Sequence, residues 1–136
     1  MAYVPARYNT PQQLDVIVVN GNINNIPAAG VAVGAIPRGS IILHTSVVVD
    51  TAVNAGTSSA FTMGTTPTGT DIATAANTAV ATAGYKTFDT AKTLNPTVDT
   101  QIYASFTYTG TAPTAGAWRA VITFAPNNDF AGVYGV

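Results

Sequence analysis

A chain with no glutamate and only two lysines has little from which to build solvent-exposed helices. All six of its acids are aspartate, a residue that favours caps and turns over helix interiors. Threonine and alanine dominate, and threonine is β-branched, so the local preference runs toward strands and turns. Within 136 residues, 47% are apolar and 8% are charged, which is enough apolar surface for one cysteine-free core. The expected class is all-β.

The apolar pattern has a period of two in several short stretches, as half-buried strands require. Leu14, Val16 and Val18 alternate with Asp15, Ile17 and Val19, and the stretch is expected to close at the turn signal Asn20-Gly21. Residues 22–27 read as loop. Residues 31–36 form a second piece that ends at Pro37-Arg38-Gly39, where a tight reversal is expected. The strongest single strand is 40–51, with Ile41, Leu43, Thr45, Val47 and Val49 expected to face inward. After a turn at Asn54-Ala55-Gly56, residues 60–63 begin another strand, with Phe61 and Met63 on one face.

Residues 71–83 are the one helix candidate, capped by Thr70 or Asp71 and ended by Gly84. Three threonines and an asparagine in the segment leave an extended loop as the alternative. Residues 85–88 form a short strand, broken at Asn95-Pro96. Ile102, Ala104, Phe106 and Tyr108 define one later strand, and Trp118, Ala120, Ile122 and Phe124 another. With the loop 109–116 between them, these two are expected to pair as an antiparallel hairpin with an aromatic inner face. Six to eight such strands separated by turns point to an antiparallel β-sandwich, of jelly-roll type, over residues 13–125.

The ends differ from the middle. Residues 1–12 and 126–136 carry apolar groups without a period and are expected to be arms. Tyr3, Val4 and Tyr8 at one end, and Phe130, Val133 and Tyr134 at the other, are the candidate interface residues. They either cover their own sandwich or extend onto neighbouring subunits, since twelve extended residues reach about 40 Å.

The chemistry-bearing residues are sparse. A net charge of −1 provides no basic field for nucleic acid or anionic lipid. No cysteine is present, so disulfides and thiolate-based zinc sites are excluded. His44 is the single imidazole, with Ser46 and Asp50 on its strand face, but no nucleophile elbow or oxyanion-hole motif accompanies it. The glycines form no phosphate-binding loop, and the aspartates form no calcium loop. No catalytic residue, metal site or cofactor is expected, and the chain is read as non-enzymatic. No apolar run is long enough to span a bilayer, and residues 1–8 do not resemble a secretory signal, so synthesis in a cytoplasm is expected. So few charges suit a subunit that spends its life assembled.

Three stretches carry a resemblance: Ile36-Pro37-Arg38-Gly39-Ser40-Ile41-Ile42, the run from Val47 to Thr57, and residues 103–124 with the loop Thr109-Gly110-Thr111-Ala112-Pro113-Thr114-Ala115-Gly116. Together they resemble small virion proteins of tailed bacteriophages, and among these the decoration or cement proteins on the outside of icosahedral heads. The resemblance spans roughly residues 14–125. It implies a β-sandwich or jelly-roll subunit that forms a homodimer or homotrimer on the capsid surface, with the major capsid protein as partner. No nucleic-acid and no membrane partner is expected, on the charge and the apolar run lengths given above. The alternative is a tail or fibre component that recognises a host-surface glycan.

Overall fold

The computed structural model describes residues 14–88 and 96–126. These residues form an antiparallel β-sandwich of two sheets. The elements in chain order are β1 (Asp15–Asn22), β2 (Val31–Ile36), β3 (Ile41–Thr51), β4 (Ser58–Gly64), α1 (Ala75–Thr78), β5 (Gly84–Phe88), β6 (Thr100–Thr109) and β7 (Ala117–Ala125). The first sheet has the order β1-β7-β3-β5 and the second β2-β6-β4.

Alternation along the strands builds the core between the sheets. Ile17 and Val19 from β1, Val47 and Val49 from β3, and Trp118, Ala120, Ile122 and Phe124 from β7 face inward from the first sheet. Phe61 and Met63 from β4, and Ile102, Ala104 and Phe106 from β6, answer from the second. Trp118 is the hub. Its ring centroid lies 5.2 Å from that of Phe61 and 5.0 Å from that of Phe106, within the range of favourable aromatic contacts.

The expected hairpin of the last two strands does not form. β6 and β7 belong to different sheets, so the loop 109–116 arches across the sandwich instead of turning within one sheet. Eight residues are ample to cross the roughly 10 Å between packed sheets. The arch is tied down by Asn54. Its Oδ1 accepts from the Thr114 and Ala115 amides at 2.8 and 2.9 Å, and its Nδ2 donates to Thr114 Oγ1. The two strands therefore meet face to face, through Phe106 and Trp118, and not edge to edge.

Three other expectations need correction. Asn20-Gly21 is no turn: β1 runs through both residues to Asn22, in register with Trp118 at Gly21. Gly21 is required there because a Cβ would sit 2.3 Å from Trp118 Nε1. The reversal comes later, where Asn22 Oδ1 accepts from the Asn24 and Asn25 amides. The inward face of β3 also changes along its length. A register shift between Ile42 and His44 buries Ile42 and leaves Ile41 and Leu43 exposed, so the odd positions face inward only from Thr45 onward.

The helix shrinks to α1, whose N-cap is Thr74; Asn77 completes a capping box, and Ala79 ends the helix in the left-handed region at φ 38°. Asp71 does other work, as its two carboxylate oxygens accept from the Thr65 amide and hydroxyl. The turn at Pro37-Arg38-Gly39 forms as expected. Gly39 has φ 75°, the Ser40 amide donates to the Pro37 carbonyl, and Asp99 Oδ1 accepts from the Arg38 amide.

Candidate contact face

The two outer faces of the sandwich differ in chemistry. On the second sheet, cross-strand partners place Ser58 opposite Thr109, Ala60 opposite Thr107, and Thr62 opposite Ser105. The hydroxyls pair with one another, Ser58 with Thr109 at 2.7 Å and Thr62 with Ser105 at 2.8 Å, and Tyr103 donates to Gln101 Oε1. The face is lined by small hydroxyl and amide groups, and it suits water.

The first sheet presents the opposite surface. Its rungs, read across β1, β7 and β3, are Val16–Thr123–His44, Val18–Val121–Ser46 and Asn20–Arg119–Val48. β5 extends the last two with Thr87 and Tyr85. Ile41 lies opposite Ala125 at the end of this face, and Leu14 immediately precedes β1. Leu14, Val16, Val18, Ile41, Leu43 and Tyr85 are each between 43% and 65% exposed. Single exposed apolar side chains are ordinary, but this set gathers on the outer face of one sheet, as contact surfaces do.

The face is graded. Its polar end holds Asn20 and the ion pair of Arg119 with Asp50, at 3.2 Å. Its apolar end holds Leu14, Val16, Ile41 and Leu43, at the rim where the described chain enters β1 and leaves β7. Two signals made this surface: the register of β1 and the shift in β3. The alternation of Leu14, Val16 and Val18 was legible, but which set faced outward was not.

His44 is half-buried on this face, opposite Thr123, and no hydrogen bond joins it to Ser46. Asp50 is engaged by Arg119 through Nε and Nη2. Among the described residues no group of three or more His, Cys, Asp or Glu is placed to hold a metal ion. No helix among them is long and apolar enough to cross a membrane. Lys86, on β5, donates to the Thr82 carbonyl, and partial burial lowers its pKa from the usual lysine value. The residues named from the sequence as interface candidates, Tyr3, Val4, Tyr8, Phe130, Val133 and Tyr134, lie outside the described residues.

No protein-family model matches the chain, and no curated protein sequence does. Its fold recurs in solved structures. A chain of the cyanophage Pam1 capsid asymmetric unit is 17% identical with a TM-score of 0.67, over 93% of this chain and 94% of that one. A chain in the acid-stable capsid structure of Helicobacter pylori bacteriophage KHP30 is 16% identical with a TM-score of 0.56, over 84% and 89%. A chain in the capsid of Ralstonia phage GP4 is 14% identical with a TM-score of 0.58, over 93% and 91%. At these identities the likeness is one of fold, and it covers the sandwich as a whole.

Proposed function

We propose that this chain is a structural protein of a phage virion, a decoration or cement subunit that binds the outside of the assembled capsid. The observation that carries the reading is the sidedness of the sandwich: one outer face of paired hydroxyls and one of exposed Leu, Val, Ile and Tyr. Such a molecule has one side for water and one for protein. The recurrence of its fold in three phage capsid structures supports the same reading. The chain works by shape and contact, with the major capsid protein and further copies of itself as partners, and it makes and breaks no bonds.

Cementing needs no more chemistry than this. A subunit that binds the closed lattice and not the separated capsomers stabilises the shell by mass action. Copies joined as dimers or trimers multiply weak contacts through effective concentration. The test compares capsids with and without the protein. Capsids that lack it are expected to release their genome at a lower temperature, and added protein restores the difference. Equal heat resistance overturns the stabilising role. Density for the protein at the tail alone would instead favour the alternative, a tail or fibre component that recognises a glycan.

A further inference from the structure

Two open sheets have four edge strands, and natural edges are blunted against pairing with other chains. Three of the four are blunted here. On β4, Met63 exchanges backbone hydrogen bonds with Ala73, and Thr78 Oγ1 donates to the Phe61 carbonyl. On β2 the register shifts between Ala32 and Gly34. β5 is five residues long and carries Lys86 opposite Val47, a core residue, so its charge lies on the inward side of the strand. β1 has none of these devices. It runs for eight residues without lysine or proline, in unbroken register with β7, and no strand lies beyond it among the described residues.

Side chains cap only the two ends of the β1 edge. Asp15 Oδ1 accepts from the Val16 amide at 2.8 Å. At the other end one carboxamide stands in for a strand: Asn25 Oδ1 accepts from the Asn22 amide and its Nδ2 donates to the Asn20 carbonyl, both at 2.8 Å. These bonds show that the even residues of β1 aim their backbone groups away from β7, as alternation in an antiparallel ladder requires. Between the caps, the Val16 carbonyl, both backbone groups of Val18 and the Asn20 amide have no partner among the described residues.

That set is complementary to itself. We infer that β1 pairs antiparallel with β1 of a second copy, across a two-fold axis at Val18. In this register the two Val18 residues exchange both bonds, and each Asn20 amide donates to the Val16 carbonyl of the other copy. The two groups that the register would otherwise join, the Val16 amide and the Asn20 carbonyl, are the two already capped. A two-fold contact of this kind is isologous and closes as a dimer. It makes one continuous sheet of the two first sheets, with Val16 and Val18 of both copies on the same outer face. The inference deepens the proposed function, and rests on it, by giving self-association a surface and by doubling the apolar face turned to the capsid.

The absence of cysteine makes the test clean, because any disulfide reports introduced residues alone. Directly opposed residues of a hydrogen-bonded pair lie about 5.5 Å apart at Cα, within disulfide reach. Two Val16 residues are separated by four positions, about 13 Å. Under mild oxidation Val18→Cys is expected to form a disulfide-linked dimer. Val16→Cys and Asn20→Cys are expected to stay reduced alone and to cross-link when mixed. A Val18→Cys chain that stays reduced, or homodisulfides of the other two that match their mixed product, overturn the inference.

Sedimentation over a concentration series is the second measurement. The parent is expected to approach twice the monomer mass of 13.9 kDa as concentration rises. Val18→Pro removes a donor on the open side of an edge strand, where proline is tolerated, and Val18→Lys sets like charges opposite each other across the axis. Both are expected to remain monomeric, with unfolding midpoints near the parent's, while Thr107→Lys on the hydroxyl face dimerises as the parent does. Should the proline chain fail to fold, the lysine chain decides. A parent still monomeric at about 1 mM overturns the inference and gives the edge to another occupant, a segment of the same chain or of the capsid. So does a Val18→Lys chain that dimerises like the parent. Capsid attachment is scored separately. Attachment of a chain that never dimerises removes this inference and leaves the proposed function standing, and a dimer that attaches to no capsid does the reverse.

Discussion

Trp118 is 1% exposed and touches aromatic rings from β4 and β6, so it joins the two sheets through a single side chain. Truncation to alanine leaves a cavity between rings that belong to different strands and cannot collapse together. Trp118→Ala is expected to cost about 3–5 kcal/mol, read from the urea midpoint, with Phe124→Ala in the same range. Gly21 tests the same packing from the other side. The indole that a new methyl would meet is pinned between Phe61 and Phe106 and cannot move aside. Gly21→Ala is therefore expected to cost about 1–3 kcal/mol by overpacking. A loss below about 0.5 kcal/mol would mean that β1 shifts away from β7 instead, which the hydrogen-exchange rates of the β1 amides would reveal. Gly21 also shows a limit of reading single residues. Asn-Gly is a strong turn signal in isolation, and here the glycine answers to a tryptophan almost a hundred residues later.

Among the elements, strands were legible and their partners were not. Period-two alternation located the longer strands, β1, β3, β6 and β7, because it reflects a local fact: one side of each strand meets the core, while β2 and β5 were read only as short apolar or β-prone pieces between turn signals. Pairing depends on where the loop goes. The loop 109–116 has the glycine and proline content of a hairpin turn, yet it crosses to the other sheet, held by Asn54 from a distant part of the chain. The register shift in β3 was equally hidden, because Ile41, Ile42 and Leu43 are all apolar and give no sign of which side each will take. α1 was legible as a segment and misjudged in length, since Thr74 and Asn77 outcompete the earlier caps. The arch gives a prediction at this scale. Asn54→Ala removes the acceptor for two amides and is expected to cost about 1 kcal/mol. Exchange should accelerate at the Thr114 and Ala115 amides while the β7 amides stay protected. Uniform acceleration across β7 would show that the arch is part of the core's cooperative unit and not a clasp upon it.

For the whole molecule, the unequal faces decide what the chain can do. A free protein with 8% charged residues and a row of exposed valines on one sheet invites self-association unless something covers that row. The candidate residues chosen from the sequence lay in the two end segments, because apolar groups without a period attract notice. The exposed apolar face went unread because Val16 and Val18 sit in a regular strand, where an apolar residue is ordinarily assigned to the core. Matched substitutions can separate the faces. Val18→Asp places a charge in the middle of the apolar face, and Thr107→Asp places one on the hydroxyl face. Both side chains are exposed, so each variant should keep its unfolding free energy to within about 1 kcal/mol. Their effects on assembly should differ. Val18→Asp must desolvate a carboxylate against apolar surface and is expected to lose capsid attachment, measured by co-sedimentation with capsids, together with the gain in heat resistance. Thr107→Asp should retain both. If the two variants attach equally well, the apolar face is not what the protein grips with, and the contact must be made by its ends or its edges.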